Sequence, residues 1–130
     1  MLNDSKVEAN IPAADLQRAR TFYADTLGLS PVQDMGPNLV YETAGGTRFN
    51  IYETSYAGQA GHTIAQWHVD DVDEVVRELK SRGVTFEQYE NMPGTTWNDG
   101  VASMQGMGKA AWFKDSEGNT LCIDSGFPTD

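Results

Sequence analysis

The chain has 130 residues, 39% of them hydrophobic, and a formal charge of −10 from nine Lys+Arg against nineteen Asp+Glu. That length suits one compact domain, or two small units on a shared core, and buries enough surface to need no disulfide staples. The charge excludes nucleic acid and anionic membrane as natural partners and favours small cations, while a single cysteine excludes an intrachain disulfide framework and fits a reducing, cytoplasmic setting. Residues 7–13, "VEANIPA", alternate with Ala9, Ile11 and Ala13 on one face and Glu8, Asn10 and Pro12 on the other, which predicts a strand. Asp15 then caps a helix whose apolar stripe is Leu16, Ala19, Phe22, Tyr23 and Leu27; Gly28 stops it and Pro31 reinforces the stop. The alternating runs "LVYET" and "TRFNIYE" follow, separated by "AGG".

Residues 54–61, "TSYAGQAG", break the periodicity and mark a junction, after which the same grammar returns. Ala65, Trp67 and Val69 alternate with Ile64, Gln66 and His68 in a strand. Asp71 caps a helix, with Glu74 completing a capping box, Val72, Val75, Val76 and Leu79 forming the buried stripe, and Gly83 ending it. The spans Asp15–Gly28 and Asp71–Gly83 differ by one residue, so the chain is a two-unit internal repeat. The second unit continues with "VTFEQYE", a long loop over 91–108 carrying Met92, Trp97, Met104 and Met107, then "KAAWFKD", the turn "SEGN" and "TLCID".

Three segments carry a resemblance: "IPAADLQRARTFYADTLGLSPV", "HVDDVDEVVRELKSRGVTF" and "AAWFKDSEGNTLCID" with its D-x-x-G-N turn. Together and in this order they resemble the vicinal oxygen chelate superfamily of glyoxalase I, bleomycin-resistance proteins and extradiol dioxygenases. The resemblance implies an α+β fold in which two βαβββ modules, about 6–55 and 62–126, form a cup-shaped mixed sheet with helices packed outside. The whole chain, 1–130, is then one domain. It also implies a homodimer, with concave sites that often form between chains.

Metal-using members of that superfamily hold a divalent ion with His, Glu or Gln from inward strand positions. Matching by register puts those positions at Glu8, Asn50, Ile64 and Cys122 here. Isoleucine offers no lone pair, asparagine is a weak neutral ligand and thiolate prefers softer ions, so the expectation is no metal and no cofactor. The inward set that remains, Glu8, Asn10, Asn50, Tyr52, Ile64, Gln66, His68 and Cys122, with Trp97 from the long loop, suits a small organic molecule held by stacking, hydrogen bonds and charge. Glu8 and His68 are the candidate acid–base groups. Cys122 reads equally as a small buried hydrophobe, His68 and His62 as partly exposed histidines, and the acidic run Asp70, Asp71, Asp73 and Glu74 as helix capping.

No run of 18 apolar residues occurs, no apolar signal-peptide core opens the chain, and "MQGMGKA" lacks the flanking residues of a phosphate loop. The first functional expectation is a metal-free binding protein of the bleomycin-resistance type, sequestering a cationic or aromatic compound. The second is an enzyme of the glyoxalase or dioxygenase kind, or a lyase or isomerase using side chains alone. An accessory module that contacts another protein is the third.

Overall fold

A computed structural model describes residues 1–90 and 92–126. The first module runs β1 (Ala9–Ala13), α1 (Leu16–Asp25), β2 (Gln33–Asp34), β3 (Asn38–Glu42) and β4 (Arg48–Glu53). The second runs β5 (Thr63–His68), α2 (Val72–Ser81), β6 (Phe86–Glu87), β7 (Thr95–Asn98), β8 (Val101–Met104), β9 (Gly108–Lys114) and β10 (Thr120–Asp124). The fold is α+β, as the resemblance implies. Each helix starts where an aspartate side chain accepts the orphan amide three residues on: Asp15 from Arg18 N and Asp71 from Glu74 N. Gly28 ends the first helix at φ 73°, where Leu29 N reaches back to Tyr23 O at 2.7 Å.

The modules contribute separate mixed sheets, ordered β1-β4-β3-β2 and β5-β10-β9-β8-β7, with β6 also on β9. In each, the first and last strands pair in parallel and the other pairs are antiparallel. One face of each sheet supplies a shared core: Ile11, Ala13, Leu39, Tyr41, Phe49 and Ile51 from the first, and Ala111, Phe113, Leu121 and Ile123 from the second. Phe49 meets Trp67 edge-on at 5.9 Å, which ties the two halves of that core together. The opposite, helix-free faces carry the polar alternates.

Residues 91–108, expected as a loop, hold the hairpin β7–β8; Asn91 lies outside the described residues. Its turn is Asp99-Gly100 at φ 53° and 88°, the paired left-handed conformation that matches strand twist and that Asp-Gly adopts readily. Conversely, the run "VTFEQYE" contributes only Phe86–Glu87 as strand.

The D-x-x-G-N turn joins the modules. Asp115 is buried and accepts four hydrogen bonds: from Tyr23 Oη at 2.7 Å, and from Glu117 N, Asn119 N and Asn119 Nδ2 at 2.9 Å each. Glu117 takes both Arg18 Nε (2.8 Å) and Nη2 (3.0 Å), plus the amide of Asp15, while Asn119 Nδ2 also reaches Pro12 O at 2.8 Å. The junction segment packs onto this turn, and a Cβ on Gly58 would stand 2.6 Å from the Glu117 carbonyl oxygen.

Burial alone would raise the Glu117 pKa, but Arg18, the Asp15 amide and the Ser116 hydroxyl outweigh it and hold the carboxyl down to about 2. A folded-state pKa below the unfolded value adds stability that is present above about pH 4.3 and is lost as pH falls through the folded value. Glu117→Gln is therefore expected to cost on the order of 2 kcal/mol near neutrality and progressively less as pH drops from about 4 to about 2, read from urea unfolding at each pH. A gap between the two proteins that stays constant over that range would contradict the assignment.

Candidate functional site

Strand pairing fixes which side chains share the helix-free faces. In the first sheet Asn10 stands beside Asn50 and Pro12 beside Tyr52, with Val40 and Asn38 next along those rows. Glu8 precedes β1 on the same face and its Oε2 accepts from Asn50 Nδ2 at 3.1 Å. That bond fixes the amide orientation, because a carboxylate can only accept. Asn50 is buried, and its Oδ1 has no hydrogen-bond partner among the described residues; Glu8, Asn10 and Tyr52 are exposed.

In the second sheet Cys122 lies between Gln66 and Trp112, and Asp124 between His68 and Ala110. The second row continues through Ala102 to Trp97. Ile64 departs from the simple alternation: Thr120 pairs with Thr63 but Leu121 pairs with Ala65, so Ile64 is the unpaired residue of a β-bulge and Thr63 takes the facing of Thr120. His62 remains exposed before β5, its Nδ1 3.0 Å from Thr63 O.

Three aromatic side chains converge on this face. Trp112 is 5.5 Å from Tyr89 and 6.0 Å from Trp97, and Tyr89 is 6.2 Å from Trp97, all edge-on or tilted. Tyr89 Oη donates to Glu87 Oε2 at 2.8 Å, and Glu87 is 3.6 Å from Lys114 Nζ. Burial, with Glu87 beside it, pushes the Tyr89 phenol up to about 12, so it stays a neutral donor. All three rings are half-buried, leaving part of each for a guest. The sequence reading found Trp97 but passed over Trp112, Tyr89, Glu87 and Asp124. The signal for Trp112 was available, since the five-residue turn 115–119 between antiparallel strands places residue 112 opposite 122.

Metal-ligand positions were tested on the donor chemistry present. Burial pushes the Cys122 thiol up to about 12, with the Asp124 charge adding to it, so the group is a protonated thiol at neutral pH. Its Sγ–H points to Ile123 O at 3.6 Å. Glu8 and Asn50 are bonded to each other, Ile64 has no donor atom, and no three His, Cys, Asp or Glu side chains converge among the described residues. This donor set does not fit a divalent ion. No hydrogen bond or ring contact among the described residues links the Glu8–Asn50 group to the Cys122–Trp112 group within one chain.

Two modules, one βαβββ and one a strand and helix followed by five strands, each with a helix-free face and its first and last strands paired in parallel, define the class as a paired-module α+β protein. The sequence profile of the Glyoxalase/Bleomycin resistance protein/Dioxygenase superfamily matches residues 7–123, and the chain belongs to that superfamily. Similar solved structures include a bleomycin resistance determinant encoded on the transposon Tn5, at 19% identity and a TM-score of 0.69 over 94% of this chain and 98% of that one. A bleomycin-binding protein complexed with bleomycin aligns at 20% identity and 0.68, covering 92% and 97%. A variant of the fosfomycin resistance protein FosX from Listeria monocytogenes, complexed with Mn(II), aligns at 20% and 0.67, covering 94% and 90%. No curated protein matches the chain by sequence. No helix among the described residues is long and apolar enough to cross a membrane.

Proposed function

We propose that this protein binds a planar, cationic or aromatic small molecule without a metal, on the helix-free faces of its two modules. The observation that carries the reading is the half-buried Tyr89–Trp97–Trp112 platform beside the protonated thiol of Cys122, where a metal-dependent relative would need a carboxylate. Ring faces attract planar and cationic guests, and the net charge of −10 concentrates cations around the protein. Glu8, Asn10, Asn50 and Tyr52 offer acceptors and a further ring from the first module, and Gln66 and His68 flank the platform on the second. Bleomycin, the ligand of one similar structure, is the first compound to try. The reading also takes the protein to be a cytoplasmic homodimer, consistent with its single buried thiol.

Titration with bleomycin is expected to quench tryptophan fluorescence and to stabilise the protein as RT ln(1 + [L]/Kd). Trp112→Ala should weaken binding by about 1–3 kcal/mol, the usual worth of one stacking contact, while adding Mn(II) or Zn(II) changes neither signal. Stabilisation by metal ions alone, or equal affinity in Trp112→Ala, would count against this reading.

A further inference from the structure

His68 and Asp124 are paired residues on the neighbouring strands β5 and β10, and His68 Nδ1 lies 2.5 Å from Asp124 Oδ1. The carboxylate is only 15% exposed and is held a second time by the amide of Gly126 at 3.2 Å, whereas the imidazole is 61% exposed. A carboxylate can only accept, so Nδ1 carries a proton, and in the neutral ring the lone pair is the one on Nε2. The pair shares the helix-free face with Trp112: Asp124 is one strand across and one row along from it, and His68 stands one strand beyond Asp124, while Trp97 lies at the far edge of the sheet. A diagonal neighbour on the next strand is within reach of a large side chain, so Asp124 adjoins Trp112, and a planar ring seated against Trp112 extends across Asp124 toward His68. His62 has no such partner among the described residues.

We propose that His68 and Asp124 form a metal-free acid–base dyad on the ligand face, in which Nε2 of His68 takes an activated proton from a planar aromatic molecule seated against Trp112. His68 is the catalytic base. Asp124 is a positioning residue that fixes the tautomer and balances the imidazolium. The inference rests on the reading of this face as a binding surface and adds a reaction class to it: proton abstraction, as in isomerisation or elimination.

The probe is 5-nitrobenzisoxazole, a planar ring with one activated C–H. Nε2 takes that proton, the C–H electron pair becomes the third C–N bond of a nitrile, the N–O bond breaks, and the oxygen leaves as 2-cyano-4-nitrophenolate. The imidazolium then returns its proton to solvent, so no other reactant is needed. The wild type and the control His62→Asn are expected to turn the probe over with saturation. His68→Asn should fall at least about a hundredfold, toward background. Asp124→Asn should lose about tenfold or more in kcat with KM unchanged, because geometry and tautomer fail while the platform remains. In His62→Asn, whose one remaining histidine is His68, 15N spectra should show Nδ1 protonated and Nε2 bare, a signature that Asp124→Asn removes.

Turnover by His68→Asn at the wild-type rate, or an Nε2–H tautomer in the His62→Asn protein, overturns the dyad. Tryptophan quenching by the probe without turnover also overturns it and leaves the binding surface standing. If neither quenching nor turnover occurs, the binding surface is what fails.

Discussion

Replacing Asp115 with alanine is expected to destabilise the protein by about 4 kcal/mol, the largest single-residue stability effect that the structure implies. The carboxylate is 6% exposed and satisfies Tyr23 Oη, two backbone amides and Asn119 Nδ2 at 2.7–2.9 Å. Alanine would break four hydrogen bonds in a buried site, leaving Tyr23 Oη and the amides of Glu117 and Asn119 unpaired, and each unmet buried donor costs about 1–3 kcal/mol before relaxation. The turn would also loosen at the one place where α1, the 54–61 junction and the β9–β10 hairpin meet. Tyr23→Phe removes one of the four bonds and no shape, so about 1–2 kcal/mol is expected there. Urea unfolding of both variants measures the difference, and if Asp115→Ala cannot be purified folded, Tyr23→Phe still reports the bond. A loss under about 1 kcal/mol for Asp115→Ala would mean that water or a shifted backbone satisfies those donors.

How much of this was legible from sequence depends on the kind of signal. The two helices were plain because each carries a local cap and stop: Asp15 and Gly28, Asp71 and Gly83. Such signals act over a few residues and need no knowledge of the rest of the chain. The hairpin over 95–104 was hidden because "TTWN" and "VASM" alternate weakly, and the surrounding glycines and methionines read as loop; the Asp99-Gly100 pair was the usable sign. Counting parity from a helix cap works until a strand gains a residue, which is what happens at Ile64, and a bulge leaves no mark in composition. Trp112 was obscured by its neighbours, since "KAAWFK" looks like a uniformly buried strand although only Ala111 and Phe113 turn to the core. The D-x-x-G-N turn was visible as a pattern, but its partners Tyr23 and Arg18 lie 92 and 99 residues away, beyond any local reading. Whether the sheets of one chain join at β1 and β5 is likewise a matter of long-range geometry, and here those strands lie near each other without hydrogen-bonding.

That junction without strand pairing leads to the prediction with the largest effect on binding. If one module of each copy completes the site with the other module of its partner, lesions in different modules must complement in a mixed dimer. Asn10→Trp places a bulky ring at an exposed position in the Asn10–Asn50 row and should block the first-module half of every site it enters. Trp112→Ala removes the centre of the platform on the second module. Each variant alone is expected to lose most binding of bleomycin. Unfolding the two together and refolding them in equal amounts gives mixed dimers carrying one doubly altered site and one intact site. Random pairing then restores about a quarter of the wild-type sites, at wild-type affinity. Calorimetry counts those sites directly. A cup built within one chain has a lesion in every copy, so mixing would restore none. A chain that sediments as a monomer while binding ligand at full stoichiometry would place both halves of the site in the same molecule.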